Sequence, residues 1–276
     1  MLASMRICLS GFLYFFALTD LYLAFVVDTY PYYPLVNATT LSMAGAYLFG
    51  RKRDFHSDSL ALVSAIRPSM VIEGGVPESI KDGCVIVVNH YWRPGFMSMW
   101  IGLSISATVP YPIQWTMTSA WRYPDRFRSM TITPLSRWFL KKIADSYGFI
   151  LMPPMPPHPR EVTARVGAVR SLMRYAQSNP SPIIAIAPEG ADSGQGCLST
   201  PPEGIGRLLY LFLERGMSLL ACGLFEEEGR LHLHYGEPIQ PTIDGLSRQE
   251  RESVLVSLTM RAIAACLPER LRGSFA

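Results

Sequence analysis

The chain has 276 residues, of which 49% are hydrophobic and 17% are charged. Because soluble domains usually carry about 25% charged residues, this composition excludes a disordered protein and allows a sizeable buried core. The formal net charge of +3 is too small for wholesale nucleic-acid binding, so we expect no nucleic-acid partner.

The first 50 residues are the least charged part of the chain, and their only charged side chains are Arg6, Asp20 and Asp28. The apolar run 7–27 is long enough to cross a bilayer, which takes about 20 helical residues. Residues 35–49 are also uncharged, but as a helix they would reach only about 22 Å. The pattern predicts either a single span or a helical hairpin that enters one leaflet, with a buried helix of the core as the alternative.

From about residue 54, short apolar runs alternate with segments of helical period. The predicted strands are residues 69–73, 84–89, 112–118, 149–152, 182–187, 218–224 and 231–235. The predicted helices are residues 96–107, 134–146, 162–177, 204–215 and 248–266. This alternation predicts an α/β fold with a mostly parallel central sheet flanked by helices. We therefore divide the chain into a membrane-associated segment, residues 1–50, and an α/β domain, residues 51–276.

The segment 121–142 carries six basic residues against the single acid Asp125. We interpret Arg126, Arg128, Lys141 and Lys142 as a patch for anionic lipid head groups or a phosphorylated substrate. A solvated helix face is the alternative.

Polar side chains follow two of the predicted buried strands, where a parallel sheet places its ligand site. The first cluster, residues 89–96, contains Asn89, His90, Arg93 and Gly95, and the second, residues 187–193, contains Glu189, Gly190, Asp192 and Ser193. A histidine at such a strand end is a candidate general base. The alternative for the histidine is a structural hydrogen-bonding role. The alternative for the glutamate is a loop carboxylate in contact with water.

Together and in this order, these segments resemble the glycerolipid acyltransferase family, whose best-known members acylate 1-acyl-glycerol-3-phosphate. The family's Asn-His pair is followed after four residues by an Asp, and here Asn89-His90 is followed by Gly95 at that position. The family's Pro-Glu-Gly-Thr-Arg-Ser block is matched by Pro188, Glu189, Gly190 and Ser193. Residues 148–150 and 219–224 match the other two motif blocks in part, and the resemblance covers about residues 50–265.

The resemblance implies a membrane-bound acyltransferase that moves a fatty acyl group from an acyl thioester to a lysophosphatidate-like glycerolipid hydroxyl. His90 would take the proton of that hydroxyl as its oxygen attacks the thioester of acyl-CoA or acyl carrier protein, without a covalent enzyme intermediate. The substrate-binding residues implied are Asn89, Arg93, Glu189, Gly190 and Ser193.

The sequence departs from the family pattern in three places. Gly95 has no carboxylate to orient His90, residues 152–154 (Met-Pro-Pro) replace a phosphate-binding Arg, and residues 191–192 (Ala-Asp) replace Thr-Arg. If the two loops converge, Asp192 would accept the Nδ1 hydrogen of His90 in place of the missing acid. Glu189 is a second candidate for that role, and a simple turn cap is the alternative for Asp192. The missing acid also keeps open a rival function, a catalytically silent relative that binds lipid or acyl chains.

The five cysteines stand far apart in the sequence, at positions 8, 84, 197, 222 and 266, and none forms a Cys-x-x-Cys pair. This spacing argues against a disulfide framework and against a zinc site. We therefore expect no metal and no cofactor. Buried reduced thiols fit a membrane-associated protein whose catalytic domain faces the cytoplasm.

Overall fold

The computed structural model describes residues 30–155, 158–191, 194, 196–243 and 245–276. These ranges contain seven strands: β1 (Val71–Glu73), β2 (Cys84–Val88), β3 (Gln114–Thr118), β4 (Ile150–Met152), β5 (Ile183–Ile186), β6 (Ser218–Glu227) and β7 (Arg230–Ile239). They form one sheet in the order β1-β7-β6-β2-β5-β3-β4. Strands β6, β2, β5, β3 and β4 run parallel, while β7 is antiparallel to β6 and β1 is parallel to β7. The predicted mostly parallel sheet is confirmed.

Seven α-helices accompany the sheet in the described ranges: α1 (Ala38–Phe49), α2 (Phe55–Val63), α3 (Met99–Thr108), α4 (Arg126–Tyr147), α5 (Val162–Ser178), α6 (Ile205–Leu213) and α7 (Arg248–Ala265). Helix α7 packs against β6, and α5 packs against β4 and β5. Helix α4 packs against α1 and the edge strand β4. The α/β fold flanked by helices is therefore also confirmed.

The centre of the sheet is buried on both faces. All five residues of β2 and all four of β5 are buried, which explains why both strands appear in the sequence as continuous apolar runs rather than alternating ones. Because β2 pairs in parallel with β5 on one side and β6 on the other, the carboxyl ends of these three strands lie side by side. Chain segments that follow β2 and β5 therefore meet at one edge of the sheet.

Two helices differ from the sequence prediction. Helix α4 begins at Arg126 rather than at Pro134, because the Asp125 side chain accepts the backbone N–H of Arg128 at 2.9 Å and caps the helix there. The proline lies inside the helix and does not start it. Helix α2 was not predicted; its cap is Asp54, which accepts the N–H of Ser57 at 2.7 Å.

The β6–β7 connection is tighter than the sequence pattern predicted. Strand β6 continues past residue 224 to Glu227, so that Glu226 is a buried strand residue. The turn consists of Glu228 and Gly229, whose φ angles are 48° and 68°. An antiparallel hairpin with a short turn of left-handed residues follows the usual geometry.

Residues 30–50 contribute side chains to the same core as the sheet. Tyr33, Leu35, Met43 and Tyr47 are buried there, and α1 begins with a capping box formed by Asn37. In the part of the chain that the structure describes, no helix is both long enough and apolar enough to cross a membrane. The apolar run 7–27 lies outside the described residues, so the membrane-associated segment over residues 1–50 stays a prediction.

Candidate active site

The candidate site is built where the chain leaves β2 and β5 at the centre of the sheet. His90 follows β2, Glu189 follows β5, and the backbone N–H of His90 donates to Glu189 Oε1 at 2.6 Å. The structure thus brings together the two residues that the sequence singled out as base and carboxylate. They meet beyond the carboxyl ends of adjacent parallel strands, which is where sheets of this type bind ligands.

The Glu189 carboxylate is buried and connects three segments of the chain. Besides the N–H of His90, it binds Ser199 twice, because Oε2 accepts from the Ser199 backbone N–H at 2.8 Å and from its hydroxyl at 3.0 Å. Charge-assisted hydrogen bonds of this kind are stronger than neutral ones. Ser199 was not predicted as a site residue, since a serine in a loop beyond the motif block has no distinguishing spacing.

The His90 imidazole is half-buried and its Nδ1 atom is fully covered. Among the described residues, Nδ1 has no hydrogen-bond partner. Buried ring nitrogens are normally paired, so Nδ1 is the ring atom at which a partner is expected. Asp192, the predicted partner, and Ser193 both lie outside the described residues.

Gly95 occupies a position that disfavours a side chain. Its φ angle is +82°, and a Cβ atom added there would lie 3.3 Å from Arg93 Nη1. The backbone at Gly95 therefore directs any side chain at this position towards the Arg93 guanidinium.

Gly190 also has positive φ, +73°, and its added Cβ would lie 3.2 Å from Met155 Cγ.

Asn89 connects β2 to β6 through its side-chain amide. Its Nδ2 donates to the Leu224 carbonyl at 2.8 Å, and its Oδ1 accepts from the Leu224 N–H at 2.7 Å. The residue is buried, and so is Leu224. Since both amide atoms are used in this pair, the structure places Asn89 as a link between strands directly before His90.

Arg93 lies in a buried ion pair with Glu226, which the sequence prediction had missed. The guanidinium Nη2 donates to Glu226 Oε1 at 2.7 Å, Nε contacts Oε2, and the group lies 3.9 Å above the Tyr30 ring. Tyr33 and Tyr91 also donate their hydroxyls to the Glu226 carboxylate, at 2.6 and 3.2 Å. Burial raises the pKa of both tyrosines, so they remain neutral donors.

The predicted basic patch lies away from His90. Arg126, Arg128, Lys141 and Lys142 all belong to α4, which packs on α1 and β4, and β4 is separated from β2 by β5 and β3. Two of the four are paired within the helix region, Arg128 with Asp125 and Lys141 with Asp145, both at 2.7 Å. The four residues therefore belong to the β4 side of the sheet, whereas His90 and Glu189 follow its central strands.

Comparison with known proteins finds a similar solved structure but no similar sequence. No family model and no curated protein matches the sequence. Among solved structures, the chain is similar to the crystal structure of the 1-acyl-sn-glycerophosphate (LPA) acyltransferase PlsC from Thermotoga maritima. The two chains are 15% identical, the alignment covers 76% of each, and the TM-score is 0.45.

Proposed function

We propose that this protein transfers a fatty acyl group from an acyl thioester to the hydroxyl of a lipid acceptor, with His90 as the general base. The observation that carries the proposal is the meeting of His90 and Glu189 across the ends of β2 and β5, joined by a 2.6 Å hydrogen bond. The motif blocks that resemble the glycerolipid acyltransferases thereby come together in space. We further propose a glycerolipid acceptor, acyl-CoA or acyl carrier protein as donor, and work at a membrane surface.

The proposed reaction needs one base and no covalent intermediate. A ring nitrogen of His90 removes the acceptor's hydroxyl proton while the oxygen forms its bond to the thioester carbonyl carbon. The tetrahedral intermediate then collapses, the carbon–sulfur bond breaks, and the imidazolium returns the proton to the leaving thiolate. The products are the acylated lipid and the free thiol of the donor.

The role proposed for Glu189 is to position the site. Its two oxygens accept three hydrogen bonds, from the backbone N–H of His90 and from both donors of Ser199. It therefore fixes the loop that carries the base relative to the loop after β5. Gly190 and Ser193 follow Glu189 in this loop, and we propose that the loop lines the acceptor site.

The partner of His90 Nδ1 is proposed to be Asp192. A carboxylate at this uncapped nitrogen would fix the tautomer and stabilise the imidazolium formed on proton transfer. Asp192→Asn then lowers kcat with little change in KM, and shifts the acid limb of the pH–rate profile. Unchanged kcat and profile in Asp192→Asn would exclude this partner.

The second candidate function is a silent relative that binds lipid or acyl chains. It is favoured by Gly95, because the position of the family's orienting acid holds no side chain. Full-length protein incubated with a panel of acyl-CoA and acyl carrier protein donors and lysolipid acceptors separates the two functions. We expect acylated lipid and an equal amount of free thiol with at least one pair. Acyl-chain binding without thiol release from any pair would support the silent relative.

A further inference from the structure

Helix α4 presents large apolar side chains to solvent on the face opposite its buried one. Phe127 is 75% exposed, Met130 78%, Leu135 53% and Trp138 47%. The helix buries Ser136, Leu140 and Ala144 instead. Phe139 and Ile143 of the same helix pack against the core, whereas Leu135 and Trp138 are exposed.

The four exposed side chains form one continuous stripe along the helix. At 3.6 residues per turn they fall within an arc of about 140°. Two other residues in this arc do not interrupt it: Pro134 has no N–H, and the Thr131 hydroxyl donates to the Phe127 carbonyl at 2.7 Å. We call the four residues Phe127, Met130, Leu135 and Trp138 the apolar stripe.

Cations border the apolar stripe on both sides. On the same helical projection Arg126 and Arg137 lie along one edge, Arg128 lies along the other, and Lys142 continues the line of the stripe about one turn beyond Trp138. Within the described parts of the chain, Arg126, Arg137 and Lys142 have no ion-pair partner, whereas Arg128 is paired with Asp125. Long basic side chains beside an apolar face fit an interfacial helix, whose cations reach the head groups while the apolar face enters the acyl boundary.

The neighbouring helix α1 also exposes apolar side chains. It packs on α4 through Tyr47 and Phe139, whose ring centroids are 6.2 Å apart, and it exposes Leu41 and Phe49 at 55% and 73%. Exposed apolar patches that are rimmed by polar residues, as the α4 stripe is, mark interaction sites.

We propose that the apolar stripe of α4 inserts into the surface of an anionic bilayer, with Arg126, Arg137 and Lys142 on the lipid head groups. The charge pattern selects this occupant. A second copy docked across this face by twofold symmetry would bring the two sets of cations together. A neutral lipid surface would leave the cations without counter-charges. The proposal goes beyond acyl transfer, because it rests on α4 and not on His90.

The test is oxidative footprinting of the full-length protein bound to vesicles, read by mass spectrometry at Met130 and Trp138. Tyr111, 40% exposed outside α4, is the exposed reference, and Met260 and Trp100, at 0% and 1%, are the buried references. On phosphatidylcholine vesicles containing phosphatidylglycerol, we expect oxidation of Met130 and Trp138 to fall to the rates of the buried references while Tyr111 is unchanged.

Matched variants separate the two parts of the surface. The first variant removes the cations of the stripe, Arg126→Gln/Arg137→Gln/Lys142→Gln, and should restore oxidation of Met130 and Trp138. Its control removes three exposed charges from α5 and α7, Arg170→Gln/Arg174→Gln/Arg261→Gln, and should not restore oxidation. Phe127→Ser/Leu135→Ser should also restore oxidation, and its control is Val162→Ser/Val166→Ser on α5.

Four results would overturn the proposal. In the first, Met130 and Trp138 stay oxidised on vesicle-bound protein; in the second, they are protected as strongly on pure phosphatidylcholine. In the third, they become protected without lipid as the protein is concentrated. In the fourth, only an acidic soluble protein protects them.

Discussion

His90 and Gly95 show how far one missing carboxylate changes a site. The backbone of His90 is fixed by Glu189, while its Nδ1 has no partner among the described residues. Gly95 could not supply that partner by a simple substitution, because its φ of +82° would direct a side chain towards Arg93.

Replacing Gly95 by Asp should not increase acyl transfer. We expect the new carboxylate to pair with Arg93 and not with His90. Left-handed backbone costs a non-glycine residue about 1–2 kcal/mol, less for Asp than for Ala. Gly95→Asp should therefore lower the free energy of unfolding by less than Gly95→Ala, as measured by denaturant titration. An increased transfer rate in Gly95→Asp would show that residue 95 does reach the imidazole.

Removing one partner of the Arg93–Glu226 pair should be costly because both partners are buried. Glu226→Gln leaves a buried cation without its counter-charge, which costs about 3 kcal/mol or more. The adjacent exposed pair of Glu227 with Arg270 provides the control, and Glu227→Gln should cost under about 1 kcal/mol. Adding Arg93→Met to Glu226→Gln should recover part of the loss. Equal losses for the two glutamine variants would contradict a buried pair.

At the scale of elements, the strands were predicted better than the helix boundaries. Each of the seven described strands overlaps a predicted one. The sequence shows β2 and β5 most directly, because strands buried on both faces are continuous apolar runs. Helix α4 was predicted to begin at Pro134, from the amphipathic pattern of residues 134–146. The actual start depends on the Asp125 cap and on Pro134 being tolerated inside the helix, which local pattern does not reveal.

The Asn89 side chain extends the join between β2 and β6 beyond the backbone ladder that ends at Val88 and Cys222. Asn89→Asp keeps the acceptor for the Leu224 N–H but removes the donor to the Leu224 carbonyl and buries a charge beside it. We expect a loss of about 2 kcal/mol or more in the free energy of unfolding. Asn37→Asp is the control, because Asp caps a helix as well as Asn does. Equal stability of both variants would mean that Asn89 does not hold the two strands together.

At the scale of the whole molecule, the sequence predicted the fold class, an α/β fold with a mostly parallel sheet, and only part of the site. The sequence predicted that His90 and Glu189 follow two buried strands of one parallel sheet, whose carboxyl ends hold the ligand site. That the two strands are neighbours depends on the strand order, which only the structure gives. The sequence did not reveal Ser199 or Glu226, whose partners come from segments up to 193 residues away in the chain, as in the Tyr33–Glu226 bond. Long-range hydrogen-bond partners have no signature in local sequence.

The buried thiols should make the whole fold sensitive to alkali. Burial raises the pKa of Cys84 to about 12 and that of Cys266 to about 11 from an ordinary value of 9.0, and it raises the pKa of Cys222 as well. Below pH 9 these thiols are protonated in both states, so their full contribution is present. As the pH rises above 9, they ionise first in the unfolded chain, and stability is lost until the folded pKa is reached.

We therefore expect the free energy of unfolding to fall between pH 9 and about 11, by about 1.4 kcal/mol per pH unit for each such thiol. Cys84→Ala should reduce the slope of this fall, whatever its effect on absolute stability. Cys197→Ala, at a half-buried position, should leave the slope unchanged. Identical slopes for wild type and Cys84→Ala would contradict a protonated buried thiol.

The central claim, acyl transfer with His90 as the base, is tested most directly by the initial rate of acylated-lipid formation in His90→Ala. The matched control is His234→Ala, a half-exposed histidine on β7 that belongs to no part of the site. General base catalysis contributes about 10²–10⁴-fold to such rates. We expect a loss of that size in His90→Ala, with the wild-type rate in His234→Ala and equal folded stability of both variants. A folded His90→Ala protein that transfers acyl groups at the wild-type rate would contradict it.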